Sequence, residues 1–173
     1  MSFPATFFNF HESAVWYVHL RIPRAQAQPL LDGPAGRRVW CAIDDTPAFQ
    51  CALMPVGDGD SFININKVLR EKYGWQEGDT VRVTLRPDTS EYGMPVPEAF
   101  TALLAEDPEG SDLFHALTKG KQRALLYQIA KPKRAATRLD RAVGIFEYLK
   151  HADGRLDFKA LNAYLKERRQ GLG

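Results

Sequence analysis

Residues 53–85 constrain the fold more than any other part of this chain. They read LMPVGDGDSFININKVLREKYGWQEGDTVRVTL, with an acidic, glycine-rich turn at 57–60 and alternating polar and apolar residues over 61–65. Such alternation is typical of a strand with one buried face. The helical spacing of apolar residues over 68–73 then predicts a short helix that ends at Gly74.

The same pattern of short strands separated by turns continues on both sides of this stretch. We predict strands over 15–22, 38–43, 48–54 and 80–86. Residues 24–37, which are rich in proline and glycine, are predicted to form a connection. Closing so few short strands into a barrel removes their open edges. The predicted fold is therefore α+β: a small N-terminal β-barrel with one short embedded helix, followed by a C-terminal α-helical region.

The segment 87–97 is the predicted junction, because its three prolines and one glycine are incompatible with a continuing strand. After it, the apolar period changes from two to about 3.6 residues. We therefore expect a barrel domain over 1–95 and a helical region over 96–173.

Caps and breakers divide the helical region. Residues 107–110 are predicted to end its first helix, and Ser111 to cap the second. Pro132 ends a later helix, and Asp157 caps the last one. Between them lies a helix whose predicted apolar face is Leu139, Ala142, Val143, Phe146 and Leu149.

The N-terminal residues resemble neither a signal peptide nor a membrane anchor, since they lack a basic start and a continuous apolar run. Their phenylalanines are expected to pack on the barrel or to be only partly ordered, and the protein is expected to be cytoplasmic. Cys41 and Cys51 are expected to be free thiols that lie opposite each other in a hairpin centred near Thr46.

Charge is divided unevenly along the chain, although the net charge is only +2. Residues 1–118 contain nine Lys/Arg and sixteen Asp/Glu, a balance of −7, whereas residues 119–173 contain fourteen Lys/Arg and five Asp/Glu, a balance of +9. Such asymmetry is typical of proteins that bind an anionic partner. The alternative is a basic face that meets solvent or complements the acidic barrel.

Two groups of residues resemble a bacterial family described as bacteriocin-protection or YdeI/OmpD-associated proteins. The first group is Leu53-Met54-Pro55, Gly57-Asp58-Gly59, Asn66-Lys67, Leu69-Arg70, Gly74 and Gly78-Asp79-Thr80-Val81. The second is Phe114, Leu117, Arg123, Ile129-Ala130-Lys131, Thr137-Arg138 and Arg141. The resemblance implies a barrel domain of unknown function followed by a helical segment, and it implies no known reaction.

The leading hypothesis is a non-enzymatic binding protein whose basic C-terminal helices contact an unknown protein or another anionic partner. The candidate contact residues are Lys131, Arg134, Arg138 and Arg141. Nucleic acid, held by phosphate neutralisation, is one alternative partner, and self-association is also open.

A second hypothesis is a small-ligand or enzymatic site in the barrel or between the barrel and the helices. Its candidate lining residues are Trp40, Tyr73, Trp75 and Arg82. The four histidines are scattered, and no motif pairs a nucleophile with a base or spaces metal ligands. We therefore assign no catalytic residue, metal or cofactor, and we expect no transmembrane segment.

Overall fold

A computed structural model describes residues 1–10 and 18–171 of the chain. The chain divides into two compact units, Met1–Gly93 and Met94–Gly173. The first, here called the barrel unit, is a nearly closed β-barrel that also carries helices. The second, the helical unit, contains only helices among the regular elements of its described residues. The predicted α+β class is confirmed.

Within the described residues, the barrel unit has seven strands and two helices. They are β1 (Ser2–Asn9), β2 (Val18–Ile22), α1 (Arg24–Leu31), β3 (Arg38–Ile43), β4 (Phe49–Ala52), β5 (Met54–Pro55), β6 (Ser61–Asn64), α2 (Lys67–Tyr73) and β7 (Thr80–Pro87). The strands pair in the order β4-β3-β7-β1-β2-β6-β5, and every pairing is antiparallel. Only Leu53 separates β4 from β5, so the two ends of the sheet belong to one run of chain.

The N-terminal phenylalanines belong to a strand of the barrel. Phe3 and Phe7 of β1 point into the core, because alternate residues of the strand are buried. Phe3 lies opposite Val83 of β7, and Phe7 lies opposite Leu20 of β2. The predicted strand 15–22 is observed from Val18 onward, while its first residues lie outside the described part of the chain.

The prediction that 24–37 is only a connection is wrong, because α1 forms within it and the barrel unit therefore has two helices instead of one. A distant residue stabilises the start of α1: the Arg24 amide donates to Asp60 Oδ1 at 2.9 Å. The Asp60 carboxylate also accepts from Arg21 Nε at 2.8 Å. Because this cap comes from a distant turn, the residues next to α1 contain no capping signal that predicts its start.

The predicted helix after residue 66 is confirmed as α2. The Asn66 side chain accepts a hydrogen bond from the Leu69 amide at 2.9 Å, which caps the first turn. Gly74 ends the helix with φ at 72°, a left-handed conformation that glycine adopts without strain. This local chemistry explains why the sequence alone locates α2.

The helical unit consists of α3 (Glu98–Glu106), α4 (Pro108–His115), α5 (Lys119–Ala130), α6 (Ala135–His151) and α7 (Phe158–Gly171). Three fully buried phenylalanines form the centre of its core. The ring centroid of Phe100 lies 4.7 Å from that of Phe114 and 5.9 Å from that of Phe146. Asp157 caps α7, as predicted, by accepting from the Ala160 amide at 2.7 Å.

Two predictions for the helical unit are wrong. Ser111 lies inside α4, which begins at Pro108 and is capped by Asp107, whose Oδ1 accepts from the Gly110 amide at 3.0 Å. Asp followed by Pro is a strong helix start, and it outweighs the helix-breaking tendency of the glycine. Leu139, predicted to face the core, is 47% exposed, because α6 turns Ile145 inward instead.

Candidate binding surface

The turn between α5 and α6 gathers four positive side chains. Pro132 follows the end of α5 at Ala130, as predicted, because it has no amide hydrogen to donate. Lys131, Lys133 and Arg134 are exposed on this turn, and Arg138 follows on the first turns of α6. The turn therefore concentrates positive charge at the surface of the helical unit.

The two arginines within α6 also hold the turn in place. Arg138 Nη2 donates to the Lys133 carbonyl at 3.3 Å. Arg141 Nη1 donates to the Gln128 carbonyl at 3.2 Å, one of the last carbonyls of α5 that lack a partner within their own helix. Both arginines are half-buried. Of the four predicted contact residues, Lys131 and Arg134 are exposed and accessible to a partner. Arg141 instead mainly supports the turn.

Among the described residues, no carboxylate lies within ion-pair distance of these cations. The acidic residues of α6 serve α7 instead: Asp140 and Glu147 both pair with Arg168, the latter at 2.7 Å. This pairing raises the pKa of the Arg168 guanidinium, chiefly through the hydrogen bond to Glu147. The positive charge of the α5–α6 turn is therefore not neutralised by its own helix.

Sequence reasoning missed the aromatic residue of this surface, Tyr127. Its side chain lies one turn before Lys131 and is 64% exposed, which is unusual for an aromatic ring. Arg123 lies one turn earlier and is half-exposed. The spacing Arg123, Tyr127, Lys131 at i, i+4 and i+8 is the signal that identifies this ridge. We call Arg123, Tyr127, Lys131, Lys133, Arg134 and Arg138 the basic face.

The four residues predicted to line a cleft do not share one location in the barrel unit. Tyr73 and Trp75 are stacked, with ring centroids 4.9 Å apart. Trp40 lies on the β3–β7 surface beneath the Arg86 guanidinium, at 4.8 Å. Arg82 lies opposite Pro4 and 3.6 Å from Asp45. The structure therefore brings Tyr73 and Trp75 together and separates them from the other two.

The described histidines show no catalytic arrangement. His19 is 6% exposed among the rings of Phe8, Phe10 and Phe62. Burial, together with the positive charge of Arg70, lowers the pKa of His19. The part of the chain that the structure covers contains no group of three or more His, Cys, Asp or Glu residues able to hold a metal ion.

The two cysteines are free thiols, as predicted, but their predicted alignment is wrong. Cys41 lies opposite Phe49, and Cys51 lies opposite Val39, so the thiols are diagonal neighbours. The turn is centred one residue earlier than predicted, with Asp44 at a φ of 49°. The hydrogen bond that the Cys41 thiol shares with Cys51, followed by burial, raises the pKa of Cys41.

Two family models match the chain, one over most of the barrel unit and one over the helical unit as far as the end of α6. Residues 3–85 match a domain of unknown function, DUF1905. Residues 93–151 match the family described as bacteriocin-protection, YdeI or OmpD-associated. A comparison with curated proteins gave no match. Among the described helices, none is both long and apolar enough to span a membrane.

The two matches agree with the resemblance drawn from sequence motifs, and the second includes the whole α5–α6 turn. The chain is thus similar to the DUF1905 domain family in residues 3–85 and to the bacteriocin-protection, YdeI or OmpD-associated family in residues 93–151.

Proposed function

We propose that this protein is a non-enzymatic binding protein whose basic face contacts an anionic macromolecule. The observation that supports the proposal is the cluster of exposed cations on the α5–α6 turn, which has no carboxylate partner among the described residues. Such charge attracts polyanions through release of their counterions. Arg138 and Arg141 orient the turn by donating to backbone carbonyls.

Tyr127 makes single-stranded nucleic acid the favoured class of partner. An exposed aromatic ring among cations provides a stacking surface for a base while the neighbouring side chains contact phosphates. An acidic protein would use the cations without needing the ring. A membrane surface would need a broader apolar stripe than Tyr127 and Leu139 provide.

The test is fluorescence anisotropy of the full chain with labelled, mixed-sequence single-stranded DNA and RNA at several salt concentrations. The decisive variant is Lys131→Ala/Arg134→Ala. Removing two phosphate contacts should reduce the slope of log affinity against log salt by roughly 1.4, since each contact on a single strand contributes about 0.7. Tyr127→Ala should weaken binding by about 1–3 kcal/mol, and Tyr127→Phe should retain it.

The matched control is Lys159→Ala/Lys166→Ala, which removes the same charge from exposed positions on α7. It should leave the salt slope unchanged. Absence of binding by the wild-type chain at low salt, or equal weakening by the control, would refute a role for the basic face in binding nucleic acid. Binding of polyglutamate but not of oligonucleotides would redirect the proposal to an acidic protein partner.

A further inference from the structure

A groove on the barrel unit runs along α2 and the turn that follows it. Its lining residues are Lys67, Arg70, Glu71, Gly74, Trp75 and Gln76, and its volume is about 340 Å³. This volume lies within the range of small-ligand sites, which is roughly 300–1,000 Å³. The groove is separate from the basic face, which belongs to the helical unit.

Arg70 is the residue of the groove whose hydrogen-bonding capacity is not satisfied. Its side chain is half-buried, and its Nε is buried without a hydrogen-bond partner. No carboxylate of the described residues pairs with its guanidinium. The neighbouring Glu71 pairs with Lys67 instead, at 3.5 Å, and both of those side chains are largely exposed. A buried N–H group without an acceptor is costly. Among the described residues, Arg70 has no anionic partner that would remove this cost.

The wall of the groove beside Arg70 is held rigidly. Trp75 stacks on Phe7 of the core, with ring centroids 5.6 Å apart, and on Tyr73, at 4.9 Å. The Lys72 ammonium lies 5.0 Å from the centre of the Tyr73 ring. Trp75 itself lines the groove. Its indole N–H is a donor that suits a ligand oxygen.

We propose that this groove binds a small molecule through an oxyanion, either a carboxylate or a phosphate group. Arg70 supplies the main contact, since a guanidinium offers several N–H donors in a plane that matches both groups. Lys67 supplies a second positive charge, and the Trp75 N–H is available as a neutral donor. Glu71 limits the site to ligands whose negative charge is localised near Arg70.

The experiment is an NMR titration of the ¹⁵N-labelled full chain with inorganic phosphate and, separately, with citrate. Sodium chloride provides the matched ionic strength. The signals to follow are the Trp75 indole N–H, assigned by the Trp75→Phe variant, and the Arg70 Nε–H. We expect saturable shifts of both signals with one or both oxyanions and none with chloride. A response to phosphate alone or to citrate alone identifies the preferred group.

Variants locate the site. Arg70→Gln should abolish the saturable Trp75 shift, and Lys67→Ala, a change at an exposed position that leaves the fold intact, should weaken affinity severalfold. Lys131→Ala/Arg134→Ala should change nothing here, so this test is independent of the basic face. Linear shifts that chloride reproduces, or an unchanged titration of Lys67→Ala, would overturn the proposal and leave Arg70 Nε as a buried donor without an acceptor.

Discussion

At the scale of single residues, Asp88 shows how the barrel unit accommodates a buried charge. Its side chain, 3% exposed, follows directly after β7. It accepts hydrogen bonds from Gln50 Nε2 at 3.0 Å and from the Ser90 hydroxyl and amide at 2.6 and 3.1 Å. Burial alone would raise the pKa of Asp88, but these bonds and the charge of Arg38 together lower it.

Asp88→Asn should reduce stability near neutral pH by roughly 1–3 kcal/mol, because the amide nitrogen would face hydrogen-bond donors. A carboxylate whose pKa is lower in the folded state stabilises the fold above its unfolded pKa of 3.8. That stabilisation is lost as the pH falls through the folded pKa. As the pH is lowered below about 4, the free energy of unfolding should therefore fall less for the variant than for the wild type.

Urea unfolding at pH 7, 4 and 3 would measure both effects of Asp88→Asn. Asp45→Asn is the matched control, because the Asp45 side chain is 98% exposed. Parallel pH profiles for wild type and Asp88→Asn would show that Asp88 is not a source of acid sensitivity.

At the scale of elements, one glycine lets α4 pack closely against α6. A Cβ atom at position 110 would lie 2.3 Å from Phe146 Cδ2. Asp107 holds the same end of α4, since its carboxylate caps the helix and accepts from Lys150 Nζ of α6 at 2.7 Å. The hydrogen bond from Lys150 lowers the pKa of Asp107. Helix α4 is therefore positioned by a cap, an ion pair and a missing side chain.

Gly110→Ala should destabilise the helical unit. Overpacking costs about 1–3 kcal/mol, and the upper end applies because Phe146 is fully buried against Phe100 and has nowhere to move. This cost exceeds the gain of about 1 kcal/mol that alanine has over glycine within a helix.

Gly120→Ala is the matched control for the glycine in α4, because it adds a methyl group to the first turn of α5 with nothing within 4 Å. It should be neutral or slightly stabilising. Thermal unfolding followed by circular dichroism compares the two variants, and equal melting temperatures would contradict the packing argument.

At the scale of the whole molecule, charge is divided within the helical unit more than between the two units. The barrel unit contains nine Lys/Arg and eleven Asp/Glu, a balance of only −2. Residues 94–118, which include α3 and α4, contain five acidic residues and no Lys or Arg. The alternative that the basic face complements an acidic barrel is thereby weakened, because much of the acidic excess belongs to α3 and α4.

Clustering of this charge should be visible in ion-exchange chromatography. Lys131→Ala/Arg134→Ala and Lys159→Ala/Lys166→Ala each remove two positive charges. The first variant should elute from a sulfonate column at lower salt, because retention follows the local potential of a charged patch rather than net charge. Elution of both variants at the same salt concentration would show that the basic face does not dominate the surface potential.

Features that depend on neighbours in sequence could be predicted. The positive φ angles of Gly57, Gly59 and Gly74 and the end of α5 before Pro132 all follow from local backbone chemistry. Lys131 and Arg134 were likewise predicted as contact residues from charge alone, and their role stays a prediction. Tyr127 and Arg70, which we propose as binding residues, were missed, because the first required knowledge of exposure and the second knowledge of an absent hydrogen-bond partner.

The sequence by itself determined the class of fold, the succession of the central strands and α2 along the chain, the family resemblance and the position of the positive charge. Only the tertiary structure decided that Ser2–Asn9 is a strand, that Asp60 caps α1 and that the Phe146 ring packs against Gly110. The physical reason is the range of the interactions. Caps and turns act over a few residues, whereas β1 pairs with β7 more than seventy residues away, and burial depends on which surfaces the folded chain brings together.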